Sequence, residues 1–147
     1  MKKNPGFTLI EVMVALAMVA VLFGYSLINI KSYSNAVNDM DVQIFGNTLA
    51  NFIITSKIYC RDNGVNCYIY FVTTSNTIQL NYGTRVIKKL KLPGGFSGIY
   101  INRTGSRMLI DNLGFTKDAC TIRFTDRNGG LHYLTVSVGT ANVEFKG

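Results

Sequence analysis

The sequence predicts an α+β chain: one long N-terminal helix followed by a mostly antiparallel β head. Three observations predict it. Phe7 to Ile30 is apolar apart from Glu11 and a few polar residues near its end, Ser26 and Asn29. Beyond Lys31, Val37, Met40, Ile44, Phe45, Thr48, Leu49, Phe52, Ile53, Ser56 and Tyr59 keep the three-and-four spacing of one helical face, with Asn38, Asp39, Asp41, Asn47 and Lys57 elsewhere. After Gly64 the chain changes to short β-prone runs punctuated by turn residues. A length of 147 residues excludes two full enzyme domains, and 48% hydrophobic against 16% charged residues excludes a disordered chain. Fifteen Lys and Arg against eight Asp and Glu give a formal +7, which permits an anionic partner without naming one.

Taken in order, the first element is a membrane helix candidate. At about 1.5 Å per residue, Phe7 to Ile30 makes a helix of roughly 36 Å, enough for a hydrocarbon core of about 30 Å. Lys2 and Lys3 stand immediately before it and no cation interrupts it until Lys31, so the positive-inside bias places the N-terminus in the cytoplasm and exports the remainder. No small-residue cleavage site of the secretory type follows the apolar run, so the helix is expected to stay in the mature protein. Glu11 is the anomaly, because a carboxylate at the bilayer centre costs about 2.5 to 3.5 kcal/mol on insertion scales and calls for a partner.

Gly6-Phe7-Thr8-Leu9-Ile10-Glu11, behind a short basic leader and ahead of an uninterrupted apolar stretch, resembles the prepilin motif of type IV pilins and type II secretion pseudopilins. That resemblance implies cleavage by a prepilin peptidase between Gly6 and Phe7, N-methylation of Phe7, and pairing of Glu11 with the N-terminal amine of a neighbouring subunit. It implies as partners other pilins or pseudopilins, the peptidase, and membrane lipid before assembly. The chain then divides into a leader at 1–6, a transmembrane or fibre-core helix at 7–30, an amphipathic helix packing on the head at 31–60, and a β-rich head at 61–147. A carboxylate paired with an ammonium inside a helical bundle is compensated only when the pair is in register, so Glu11 is expected to act as a register device.

The amphipathic half continues to about Tyr59, with Gly24 a weak point at which the helix could bend. It is expected to pack one face on the head and leave the first half protruding. Strands are expected at about Cys67–Thr74, Thr77–Tyr82, Arg85–Leu92, Ile99–Arg103, Met108–Ile110, Cys120–Thr125, Leu131–Val138 and Asn142–Phe145. Asn128-Gly129-Gly130 is the strongest hairpin signal. One long helix followed by many short strands, with Gly114-Phe115 and the closing pattern from Val136 to Val143, looks like the minor pilins and pseudopilins of the GspH/FimT type, including those of competence pili. Where that group often has Gly-Arg after the penultimate strand, Gly139-Thr140 departs from it.

The chemistry-bearing residues point away from catalysis. His132 has no evident partner motif and shares a strand face with Leu134, Val136 and Val138, which suits a histidine at the core edge. No nucleophile elbow, phosphate loop or metal-spaced His/Cys cluster occurs, so the expectation is a non-enzyme without metal or cofactor. Cys60 and Cys67 bracket a short Gly-containing loop and could form a disulfide in an oxidising compartment. Cys120 could replace either, and all three could equally be small buried hydrophobes. Arg85, Lys88, Lys89 and Lys91 lie on one strand, where alternation puts Arg85, Lys89 and Lys91 on one face with Ile87. A lysine-protected edge strand accounts for them, as does a DNA phosphate contact helped by Arg103 and Arg107 if those loops converge. The resemblance adds weight to the second, since some FimT-type members bind DNA, while the missing Gly-Arg subtracts it.

Overall fold

The computed structural model describes residues 7–103, 105–138 and 143–146, in two compact units, Met1–Val37 and Asn38–Gly147. The predicted leader with Gly6, the Gly139-Thr140 departure and the predicted strand start at Asn142 lie outside the described residues.

One α-helix, α1, runs from Leu9 to Asn63 and passes through Gly24 without a break. It opens on a reciprocal cap. The Thr8 backbone N–H and hydroxyl both donate to Glu11 Oε2 at 2.9 Å, while the Glu11 N–H donates back to Thr8 Oγ1 at 3.4 Å. This is a capping box, in which a Thr and a Glu three residues on satisfy helix N–H groups that have no intrahelical acceptor. In the first unit the apolar side chains from Leu9 to Tyr25 face outward: Leu16 is 64% exposed and Phe23 68%. The most apolar window of the helix has mean hydropathy 2.2, and none of it is buried.

In the second unit the helix buries Asn38, Val42, Phe45, Leu49, Phe52, Ile53, Ser56, Lys57 and Cys60. This face is turned slightly from the expected one. Met40 and Ile44, expected inside, are 65% and 57% exposed, and Thr48 is also exposed, whereas Asn38 and Lys57, expected outside, are buried. Asn38 is drawn inward by a hydrogen bond to Asp126, and once it is inside, Val42 and Phe45 follow one turn and two turns later. The helix ends four residues beyond Tyr59. Gly64, at φ +64°, adopts the left-handed conformation that lets its N–H reach Arg61 O at 3.1 Å and the Val65 N–H reach Cys60 O at 3.0 Å. Those two bonds are a Schellman motif and satisfy carbonyls the helix leaves open.

The head contains β1 (Cys67–Val72), β2 (Thr77–Tyr82), β3 (Arg85–Lys91), β4 (Ser97–Ile101), β5 (Arg107–Ile110), β6 (Cys120–Thr125), β7 (Leu131–Val136) and β8 (Val143–Lys146). They form two antiparallel four-stranded sheets, in the orders β3-β2-β1-β5 and β4-β6-β7-β8. β1 stops two residues early because Thr73–Ser75 form a turn of 3-10 helix, and β4 starts two residues earlier than its composition suggested, at Ser97. Alternate residues point inward: Cys67, Ile69 and Phe71 on β1, Ile78 and Leu80 on β2, and Cys120, Ile122 and Phe124 on β6 are all buried. Phe124 stands at the centre, edge-on to Phe45 at 4.9 Å and stacked with Phe96 and Phe145 at 5.9 and 6.1 Å. Burying each such ring stabilises the head by roughly 1.5–3 kcal/mol. Gly46 lets Phe145 lie directly on the helix, since a Cβ there would fall 2.6 Å from the ring.

Candidate functional site

The feature richest in functional signal is the helix entrance. Phe7 is 87% exposed, directly ahead of the Thr8–Glu11 cap. The sequence made Glu11 an unpartnered carboxylate; the structure gives it a local partner in Thr8. The T-x-x-E spacing that signals such a box is present in the sequence, so this was legible and was missed. The cap occupies only Oε2 of the carboxylate, so Glu11 can serve its own helix while still presenting charge.

The cationic strand β3 is an edge strand, as lysine protection requires. The expected alternation fails within it. Lys88 pairs with Leu80 and Val86 with Asn81, which leaves Ile87 as the extra residue of a bulge and reverses the parity beyond it. Ile87 and Leu90 therefore both pack on the core, while Lys89 and Lys91 face outward beside Gln79 and Thr77. Arg85, opposite Tyr82, lies on the other face, so the expected trio of Arg85, Lys89 and Lys91 is divided. On the outward face Lys89 continues, through Gln79, into Tyr70 and Arg107.

Arg103 and Arg107 do converge on each other. Both line a cavity of about 540 Å³ with Tyr68, Leu109 and Asp118. Arg103 is ion-paired with Asp118 at 2.7 Å and donates to Ala119 O at 3.0 Å, whereas Arg107 lies over the Tyr68 ring at 5.0 Å from its centroid. Tyr68 and Tyr70 sit 6.1 Å apart on the same face of β1.

His132 does have a partner. Its Nε2 lies 2.9 Å from Asp126 Oδ2, which also accepts from Asn38 Nδ2 at 3.0 Å, and its ring stacks on Phe124 at 5.4 Å. Asp126 Oδ1 accepts the N–H groups of Asn128 and Gly130, each at 2.8 Å, and so closes the hairpin predicted at Asn128-Gly129-Gly130. Burial would raise this carboxyl, but the hydrogen bonds from His132, Asn38, Gly130 and Asn128 outweigh it and hold the pKa at about 2. The group ties the helix to the β6–β7 turn. It is a structural use of an Asp–His pair, with the histidine at the core edge where the sequence placed it.

Cys60, Cys67 and Cys120 are all buried free thiols. Cys60 and Cys67 lie in one core cluster, and Cys120 donates to Met108 Sδ at 3.5 Å. Among the described residues no group of three or more His, Cys, Asp or Glu could hold a metal ion.

Helix, cap and two-sheet head together define a pilin-type α+β fold. Residues 1–27 match the prokaryotic N-terminal methylation motif. The fold is similar to the crystal structure of the type IV minor pilin FimU of Pseudomonas aeruginosa, at TM-score 0.58 and 8% identity over 72% of this chain and 88% of that one. It is likewise similar to the minor pseudopilin EpsH of the Vibrio cholerae type 2 secretion system, at TM-score 0.55 and 6% identity over 72% of this chain and 96% of that one. Among curated protein sequences nothing matches it.

Proposed function

We propose that the chain is a minor pilin or pseudopilin subunit. In this reading a prepilin peptidase cuts between Gly6 and Phe7, Phe7 is N-methylated, and the helix holds the protein in the inner or only cell membrane with its N-terminus cytoplasmic. Residues 7–30 then pass from lipid into the core of a type IV pilus, a competence pilus or a type II secretion pseudopilus, where they pack against other pilins. The observation that carries the reading is the methylation motif ahead of a helix whose apolar side chains from Leu9 to Tyr25 are all exposed, since such a surface requires lipid or neighbouring helices to cover it.

Glu11 is proposed to set the register by pairing with a neighbour's N-terminal amine, in addition to capping its own helix. Two substitutions separate these roles. Glu11→Gln keeps a capping side chain and loses the charge, and Glu11→Ala loses both. Breaking a buried ion pair costs about 3–5 kcal/mol, so both variants should enter fibres at least about a hundredfold less well, measured as copies recovered in sheared fibres. Normal incorporation of Glu11→Gln alongside failure of Glu11→Ala would reduce Glu11 to a cap.

A second reading, DNA binding by the head, is favoured by one observation: Lys89, Lys91 and Arg107 share an outward sheet face with Tyr68 and Tyr70. Phosphate contacts from such cations are sequence-independent and salt-sensitive. Arg85 and Lys88 lie off that face and serve as internal controls. Charge reversal at Lys89, Lys91 and Arg107 should abolish binding by the full-length protein and flatten its salt dependence, and reversal at Arg85 and Lys88 should weaken it less. Unchanged binding removes the patch.

A further inference from the structure

The Schellman turn at the end of α1 reverses the chain within residues 61–66 and returns Cys67, the first residue of β1, to the side of Cys60 in the last turns of the helix. Both side chains are fully excluded from solvent, at 0% exposure, and belong to the same core cluster. Cys67 is fixed from the far side as well, because β1 pairs with β5 there and Cys67 stands opposite Ile110. Cys120 is spoken for by Met108. The spacing left three pairings open, and the packing brings one of them together.

We infer that Cys60 and Cys67 are a built disulfide pair, a covalent staple between the end of the long helix and the first strand of the head. In the reaction, the thiolate of one cysteine attacks an external disulfide, either a small-molecule one such as glutathione disulfide or that of a protein thiol–disulfide oxidoreductase, and expels one thiol. The second cysteine, deprotonated, then attacks the mixed disulfide and expels the other thiol. One S–S bond forms as another breaks, the external disulfide takes the two electrons, and the two protons leave on its thiols.

The fold also fixes when this happens. Both cysteines are shut off from solvent, and the same burial pushes the Cys60 thiol up to about 12, so the folded head keeps an external thiol or disulfide from reaching its own pair. Oxidation therefore belongs to folding, before the turn closes, and the finished bond is shielded from reductant in the same way. Cys120, whose thiol burial also raises, stays reduced beside Met108.

The test uses the full chain in detergent, refolded in a glutathione redox buffer, alkylated in denaturant without reductant, and mapped by mass spectrometry. Wild type and Cys120→Ala should each be lighter by two hydrogen atoms than their reduced forms and yield one peptide pair joining Cys60 to Cys67. Cys60→Ala and Cys67→Ala should show neither. A short-loop cross-link of this kind raises the melting temperature of the oxidised over the reduced protein by roughly 10 °C. Alkylation of all three cysteines in the wild type, or a linked peptide containing Cys120, would overturn the pairing. An equal melting temperature for both redox forms would overturn its role as a staple.

Discussion

The two units of this chain are stabilised by different surroundings. In the head, β1, β2, β6 and the helix face from Asn38 onward bury their apolar residues against one another, and Phe124 is enclosed by three other phenylalanine rings and the His132 imidazole. In the first unit the chain is at least as apolar, yet Leu9, Met13, Leu16 and Phe23 are all largely exposed. The head supplies its own core; the helix ahead of it depends on what surrounds it. The lesson is that the same residue types build a core in one unit and an outward surface in the other, and only burial separates the two.

That contrast can be broken by substitution, and the largest effect should come from the head. Phe124→Ala should cost about 3–5 kcal/mol of head stability, read from chemical denaturation of the full chain in detergent, because the flanking rings cannot collapse fully into the space. Leu16→Ala, an equally apolar truncation in the first unit, should change head stability by less than about 0.5 kcal/mol. Equal costs at the two positions would erase the distinction drawn here.

The Asp126 network gives a smaller, pH-dependent effect. Its carboxyl sits near 2 in the folded head against an ordinary value of 3.8, so the folded state holds the charged form more tightly than the unfolded chain does. The stabilisation is present in full above the unfolded value and is lost as pH falls from about 5 to about 2, amounting to about 2 kcal/mol. Asp126→Asn should remove most of that acid dependence, which a denaturation series between those pH values would register. Smallest of all, Gly64→Ala should cost about 1 kcal/mol through strain at the positive φ that closes the helix, visible as a modest fall in melting temperature.

Much of the fold was legible because its signals are local. The apolar run, the end of helical spacing before Gly64 and the Asn128-Gly129-Gly130 hairpin each declare themselves within a few residues. The failures were non-local. Asn38 looked like a solvent residue until Asp126, 88 positions away, accepted its amide, and that one contact turns Met40 and Ile44 outward. The bulge at Ile87 depends on how β3 registers against β2, so alternation along β3 alone misassigned Arg85. The Glu11 cap is the exception: Thr8 stood three residues away and the box was readable.

The central proposal is that the apolar helix from Phe7 is that of a processed pilin. Intact mass and N-terminal peptide mapping of the protein from its native membrane test it most directly. The account predicts a mature chain that begins at N-methylated Phe7. A chain that keeps Met1 to Gly6 where a competent prepilin peptidase is present would contradict it and leave a signal-anchored β head.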